Sequence, residues 1–296
     1  MLRHLIQAWL ANTAKAKVRE AVVRAAHDQV KQAVASSADG AAADAGAAMV
    51  AAEPQRCHVG VVFALGIESG CFEDRLNGCV TIRGERFVAR EGGLKGRRVL
   101  AMLSGAGRKN ACEATEVLID GHHPLRIISA GFAGGLHPTL KRNDILLVDR
   151  VVLADGSELP VELSAELTAL AGQAGVHVGS LLSVDQVVRL PRQKQQLGER
   201  YGALAVDMET FAVAEVCRRR EVPFVAIRVI NDTASETLSC EAEHLLVQKS
   251  NAARFGAAVG ALLRRPGSAK DMYQMRENAL VASARLAKFL AGIVGP

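Results

Sequence analysis

Apolar residues in this chain form short strand-like runs that alternate with longer stretches of helical spacing. Cys57 to Ala64 is typical of a strand buried on both faces. We predict further strands at Arg98–Ser104, Arg126–Phe132, Asp144–Leu153, Val178–Val184, Leu204–Met208 and Phe224–Ile230. We predict helices at Lys109–Asp120, Ser164–Ala174, Arg192–Tyr201, Thr210–Glu221, Glu241–Leu263 and Asp271–Leu290. The alternation indicates an α/β fold with a mainly parallel, twisted central sheet flanked by helices.

Residues 1–35 have the periodicity of a separate amphipathic helix. Its apolar residues recur at every fourth position, at Val18, Val22, Ala26, Val30 and Val34. Residues 36–56 are rich in alanine, glycine, serine and aspartate, so we predict a flexible linker before a main domain at residues 57–296. We favour docking of the helix on the main domain or on a second subunit over adhesion of its basic face to a membrane.

Composition narrows the class of protein. With 49% hydrophobic and 23% charged residues, the 296-residue chain is typical of a soluble globular protein. Aromatic residues make up only 4% of the chain, which disfavours extensive stacking on single-stranded nucleic acid. The net charge of +5 comes partly from runs such as Arg218–Arg220, which are typical of solvated helix faces. We therefore expect no nucleic-acid partner.

Cysteine spacing and hydropathy indicate the cellular compartment of the protein. The six cysteines include no C-x-x-C pair, which disfavours a zinc site or a disulfide framework and favours a reducing cytoplasm. No apolar run is long enough to span a bilayer, and Met1 to Leu10 lacks the pattern of a signal peptide. We expect a cytoplasmic protein.

Two predicted strands end close to carboxylates. Glu209 follows the first, Asp232 follows the second, and a helix with one apolar face connects them. A strand–helix–strand crossover is parallel and places both strand ends at the edge where open α/β sheets bind ligands. We therefore expect Glu209 and Asp232 to converge on a small molecule, as in an enzyme.

Glycine-rich loops follow two further strands. Ser104-Gly105-Ala106-Gly107 precedes a helix whose N-terminus favours an anion, and Arg108 and Lys109 add positive charge. The loop differs from a dinucleotide-binding fingerprint because Asn110 stands where the third glycine belongs. Ser129–Gly135 is a second loop of this kind, and two such loops indicate a ligand site better than one.

Together these segments resemble the purine nucleoside phosphorylase and nucleosidase family, most closely its methylthioadenosine/S-adenosylhomocysteine nucleosidase branch. The similar segments are Ala64–Glu68, Ser104–Ala111, Ala130–Leu136, Val206–Glu209 and Arg228–Asp232, in the expected order. The resemblance implies a nucleoside phosphorylase-like fold and hydrolysis of the N-glycosidic bond of a purine nucleoside. It implies no metal or organic cofactor, and a homo-oligomer, with a dimer as the first expectation.

The resemblance also implies roles for the acids. Asp232 protonates purine N7 after burial raises its pKa, and Glu68 activates water and stabilises positive charge on the sugar. Glu209 accepts hydrogen bonds from the ribose hydroxyls while Met208 packs against the sugar. Taken singly, each acid also fits a structural role. Glu68 and Glu209 suit the first turn of a helix, and Asp232 suits a loop cap or a pair with Arg228.

Further substrate contacts are implied around these acids. They are Ser104, Gly105, Gly131, Phe132, Val187, Val188 and Asn231. Val187 and Val188 stand where the family's nucleosidases usually have an aromatic residue, and Phe132 stands where they usually have a serine. These departures leave the substrate's identity open. Phe132 either supplies an apolar wall to the pocket or points into the core.

Water and phosphate are the two alternative nucleophiles. Hydrolysis is favoured because Glu68 supplies a base for water and the chain lacks the Gly-Asp-Pro-x-Arg segment of the family's phosphorylases. Gly107, Arg108 and Lys109 form a possible phosphate or water site, so a phosphorylase is the second hypothesis. It includes the hopanoid-associated phosphorylase-like group, which has a lipid-linked substrate. A nucleotide-binding module without turnover is the third, since it would not require three converging acids.

Overall fold

The computed structural model describes residues 56–84, 87–238 and 268–294. The predicted N-terminal helix, residues 36–55 of the predicted linker and the predicted helix Glu241–Leu263 lie outside these ranges. In chain order the strands are β1 Val59–Phe63, β2 Asn77–Arg83, β3 Val88–Leu94, β4 Arg97–Leu103, β5 Ile127–Gly135, β6 Ile145–Leu153, β7 Glu158–Pro160, β8 Val176–Ser183, β9 Ala205–Asp207 and β10 Phe224–Asp232. The helices are α1 Gly66–Glu73, α2 Arg108–His122, α3 Ala165–Leu170, α4 Pro191–Tyr201, α5 Thr210–Arg219 and α6 Ser268–Ile293.

The described strands form one mixed sheet, so the prediction of a mainly parallel sheet is wrong. Strand β1 lies between β4 and β5 and is parallel to both, and β5 is parallel to β10. The pairs β2–β3, β3–β4, β5–β9, β6–β7 and β6–β10 are antiparallel. Lys95 and Gly96 connect β3 to β4 with φ angles of 49° and 75°, and a tight two-residue turn of this kind permits antiparallel neighbours.

Five of the strands close into a ring, because β10 pairs with both β5 and β6 while β8 and β9 complete the circuit. Strand β9 is antiparallel to β5, whereas β10 is parallel to it, so the predicted parallel crossover from β9 to β10 is wrong. The two strands nevertheless meet at the carboxyl end of β5. Gly134 pairs with Val206 of β9 on one side and with Asp232 of β10 on the other.

Helices cover both faces of the sheet near β1, all of whose residues are buried as predicted. Phe63 faces a cluster that contains Phe72 of α1 and Leu286 of α6. Val62 faces the opposite cluster, which contains Leu118 of α2 and Val213 of α5. Burial of these side chains holds α1 and the carboxyl end of β1 in fixed relation. Within the described ranges, no helix is long and apolar enough to cross a bilayer.

Candidate active site

A cavity of about 440 Å³ lies beside the carboxyl ends of β1, β5, β8, β9 and β10. Most of its lining is apolar, including Leu65, Ile67, Phe132, Val187, Val188, Val206, Met208, Leu238, Met275 and Ala279. Glu68, Glu209 and Asp232 all line this same cavity. An apolar pocket with a few convergent polar groups is typical of a site for a small molecule.

Glu68 is the third residue of α1, and its carboxylate is held by backbone amides from two segments. Its Oε2 accepts hydrogen bonds from the amides of Ala64, at 3.0 Å, and Leu65, at 2.8 Å, while Oε1 accepts one from Phe132 at 2.8 Å. Burial raises the pKa of Glu68, although these bonds and the charge of Arg228 oppose that rise. A carboxylate oxygen has two acceptor positions, so Oε1 retains one for a water molecule.

Gly131 lies beneath Glu68, and the lining residues do not include it. A Cβ atom at this position would lie 2.8 Å from Glu68 Oε1 and 3.1 Å from Arg228 Nη1. The position therefore needs glycine because the carboxylate occupies the space of a side chain. Gly131 supports the candidate base, and its direct contact with substrate stays a prediction.

Arg228 is buried and pairs with Asp207, so the alternative pair with Asp232 is wrong. Its Nε and Nη2 donate to Asp207 Oδ2 at 3.1 and 2.8 Å. Nη2 also donates to Ser129 Oγ at 2.8 Å and to Thr210 Oγ1 at 2.6 Å. This network joins β5, β9, β10 and the start of α5, and because its donors and acceptors are paired it is a stable support.

Glu209 caps the start of α5, and its Oε1 accepts a 2.6 Å hydrogen bond from the amide of Gly107. Burial and the neighbouring Asp207 carboxylate raise the pKa of Glu209 to about 8. A carboxyl group that is protonated near neutral pH can both donate and accept a hydrogen bond. Such a group suits a pair of hydroxyls.

The Ser104–Gly107 loop supports the cavity wall, but Ser104 and Gly105 are not among the lining residues. The hydroxyl of Ser104 donates to the carbonyls of Phe63, at 3.2 Å, and Gly105, at 2.8 Å. Contact of Ser104 and Gly105 with the substrate stays a prediction. The amide of Gly107 serves the carboxylate of Glu209.

Asp232 ends β10, and its carboxylate pairs with a lysine that the sequence analysis did not identify. Lys194 Nζ donates to Asp232 Oδ2 at 2.5 Å, and the lysine side chain is fully buried. Burial raises the pKa of Asp232, while the charge of Lys194 and its hydrogen bond oppose the rise. Asp232 is thus a buried acid with a fixed cationic partner.

Arg108 and Lys109 are not among the residues that line the cavity with the three acids, and the phosphate or water site at Gly107–Lys109 stays a prediction. Both residues line a neighbouring cleft. The guanidinium of Arg108 lies 5.5 Å from the ring centroid of Phe211 and 3.9 Å from Glu215 Oε2. The Lys109 side chain is 83% exposed. Both residues belong to the first turn of α2.

The remaining predicted contacts lie on the cavity wall. Val187, Val188, Met208 and Asn231 line it, and Phe132 both lines it and packs against the core. The buried Oδ1 of Asn231 has no hydrogen-bond partner among the described residues. Asn231 therefore offers an unused polar atom beside Asp232.

Two contributors to the site were missed. Helix α6 supplies Met275, Arg276 and Ala279 to the cavity wall. This helix lies far from the other lining residues along the chain, so the sequence did not indicate its contribution. Lys194 did carry a signal, because it shares the buried side of α4 with Leu197 and Tyr201 at helical spacing. A lysine on the apolar side of a helix indicates that its ammonium group is buried and pairs with an acidic side chain. No cluster of three histidine, cysteine or acidic residues that could hold a metal occurs in the described parts of the chain.

Comparison with known proteins gives matches over most of the chain. The profile of the Phosphorylase superfamily matches residues 59–264. The 5'-methylthioadenosine/S-adenosylhomocysteine nucleosidase of Tolumonas auensis is 28% identical over 229 residues, covering 70% of this chain and 98% of that protein. The enzyme of the same name from Bacillus thuringiensis is 29% identical over 214 residues, covering 64% of this chain and 92% of that protein.

Solved structures show the same fold. The 5'-methylthioadenosine/S-adenosylhomocysteine nucleosidase of Neisseria meningitidis, in complex with methylthio-immucillin-A, matches with a TM-score of 0.62 and 24% identity, covering 80% of this chain and 98% of that one. A futalosine hydrolase mutant of Helicobacter pylori matches with a TM-score of 0.60 and 22% identity, with the same coverage of 80% and 98%. The described part of this chain thus has a nucleoside phosphorylase-like fold with a mixed central sheet.

Proposed function

This chain belongs to the phosphorylase superfamily, and we propose that it is a nucleosidase that hydrolyses the N-glycosidic bond of a purine nucleoside. We propose 5'-methylthioadenosine or S-adenosylhomocysteine as its substrate, as in the relatives named above. The observation that carries the proposal is the presence of Glu68, Glu209 and Asp232 on one largely apolar cavity. Each acid has a different environment, which suits three different tasks.

In this reaction a water molecule bound at Glu68 Oε1 attacks C1' of the ribose as the bond to the purine breaks. Glu68 takes a proton from the water, and its negative charge stabilises the positive charge that develops on the sugar. Asp232 gives a proton to N7, so the purine leaves as a neutral base. Glu209 holds the two ribose hydroxyls.

The charges of the cavity favour water over phosphate as the nucleophile. Among the described lining residues Arg276 is the sole basic side chain, and it is exposed. A phosphate dianion needs several fixed cationic or amide donors, whereas here the buried charged groups of the lining are carboxylates. Arg108 and Lys109 lie on a different cleft.

We expect purified protein to release adenine from 5'-methylthioadenosine or S-adenosylhomocysteine at the same rate with and without added phosphate. Base release is followed by absorbance after exhaustive dialysis, and the sugar products are separated to identify 5-methylthioribose or S-ribosylhomocysteine, expected from hydrolysis, or their 1-phosphates, expected from phosphorolysis. Release that requires phosphate would identify a phosphorylase. Because a futalosine hydrolase shares the fold, futalosine belongs in the substrate panel. Absence of base release from every purine nucleoside tested would leave a binding module as the better hypothesis.

Substitution Gly131→Ala is expected to slow base release about a hundredfold, because the new methyl group would displace the Glu68 carboxylate. The same crowding should lower the melting temperature. Gly70→Ala is the matched control, since a Cβ at Gly70 on α1 meets no atom within 4 Å. Steady-state rates and thermal unfolding of both variants test this. Wild-type rates in Gly131→Ala would contradict the support that Gly131 gives to Glu68.

A further inference from the structure

Lys194 has an unusual place beside the cavity, because its ammonium group is fully buried and all three of its donors are used. Nζ donates to Asp232 Oδ2 at 2.5 Å, to the carbonyl of Thr233 at 2.7 Å and to the carbonyl of Glu236 at 2.9 Å. A buried ammonium is costly unless it is paired and fully hydrogen-bonded. Its geometry is therefore fixed, and with it the position of one oxygen of Asp232.

The two oxygens of Asp232 consequently differ. Oδ2 accepts the hydrogen bond from Lys194, whereas Oδ1 forms no hydrogen bond with the described residues. The Asp232 side chain is 9% exposed and lines the cavity. A proton on Oδ2 would have to compete with a charged donor at 2.5 Å, so a protonated Asp232 carries its proton on Oδ1.

We propose that Lys194 is a positioning residue for the candidate acid, because it holds Oδ2 and leaves Oδ1 to carry the proton toward the leaving base. This inference rests on the nucleosidase function proposed above. Lys194 is not among the residues that line the cavity, and it acts through its hydrogen bond to Asp232. Its charge also makes Asp232 a stronger acid than burial alone would allow, so that the proton can be transferred near neutral pH.

Other charged groups surround Asp232 and must be counted in any pH dependence. Glu236, in the turn after β10, raises the pKa of Asp232, and Arg142, between β5 and β6, lowers it. Across the cavity lie Glu68 and Glu209. Of all these groups, Lys194 forms the direct hydrogen bond to Asp232 and has the largest lowering effect on its pKa.

Substitution Lys194→Gln tests the inference because glutamine can still donate a hydrogen bond but has no charge. Activity requires protonated Asp232 and is lost as the pH rises through its pKa. Loss of the neighbouring charge raises that pKa, so the basic limb of the kcat profile should move up by about one to three pH units. The kcat at the optimum should fall while KM changes little, because a weaker acid transfers its proton more slowly.

Arg142→Gln is the matched control. Arg142 donates to the carbonyl of Asn231 and to Glu236 Oε2, so it holds the same turn as Lys194 without touching Asp232. We expect this variant to lose thermal stability as Lys194→Gln does, with a smaller displacement of the basic limb. The inference would be overturned if the basic limb of the kcat profile stayed in place in Lys194→Gln, or if it moved equally in both variants. Lys194 would then be only a structural support.

A measurement without substrate separates this inference from the proposed function. In a double-mutant cycle of Lys194→Gln and Asp232→Asn, the melting temperatures should be non-additive, because each single substitution removes one charge of the same ion pair. Additive effects would contradict the pair and the inference. Absence of base release by the wild-type protein would instead contradict the proposed function, even if the cycle showed coupling.

Discussion

Replacing Asp232 with asparagine is expected to slow release of adenine about a thousandfold, within the range of general acid catalysis. Asparagine keeps the shape of the side chain and can still accept a hydrogen bond from Lys194, but it has no proton to give to N7. The substrate KM should change little because the contacts in the ground state remain. Initial rates over a range of substrate concentrations at neutral pH measure both quantities.

Two controls distinguish a lost acid from a damaged fold. Asp185→Asn removes a carboxylate from an exposed residue that lines the neighbouring clefts, and it should retain the wild-type rate. A riboside with p-nitrophenolate as leaving group needs no proton, so Asp232→Asn should cleave it at nearly the wild-type rate. Full activity of Asp232→Asn on the purine nucleoside would exclude Asp232 as the acid.

Local patterns predicted much of the fold because most of its elements are long and regular. The strand at β1 was predicted from an unbroken apolar run, and α5 was predicted from the spacing of its apolar residues. The direction of β9 was not predicted correctly. Strand β9 has only three residues, and its direction is fixed by pairing with Gly134 and Gly135 at the end of β5. Pairing between distant segments leaves no trace in local periodicity.

The candidate site was predicted in part for a similar reason. Acids placed directly after strands can be read from the chain, and Glu68, Glu209 and Asp232 do line one cavity. The ion-pair partners of the site residues could not be predicted in this way. Arg228 pairs with Asp207 and Lys194 pairs with Asp232, and only the fold brings the members of each pair together. Arg108 is a different case. Its position after a glycine loop predicted an anion site, but its side chain lies over Phe211.

Replacing Glu68 with glutamine is expected to slow hydrolysis about a thousandfold or more, because the amide cannot take a proton from water. The substitution also disturbs the local hydrogen bonds. Three backbone amides donate to the Glu68 carboxylate, and the glutamine amide group offers one acceptor oxygen in place of two. At least one buried amide then lacks a partner, which should lower stability by about 1–3 kcal/mol. Stopped-time assays and thermal unfolding measure the two effects.

Glu73→Gln is the matched control for this variant, because Glu73 ends the same helix and pairs with Arg90, outside the cavity lining. It should hydrolyse the nucleoside at the wild-type rate. The p-nitrophenyl riboside adds a second distinction, since attack by water still needs a base when the leaving group needs no acid. Glu68→Gln should therefore remain slow on this substrate, whereas Asp232→Asn should recover nearly the wild-type rate of cleavage. Recovery of both variants, or of neither, would contradict the assignment of base and acid to these two carboxylates.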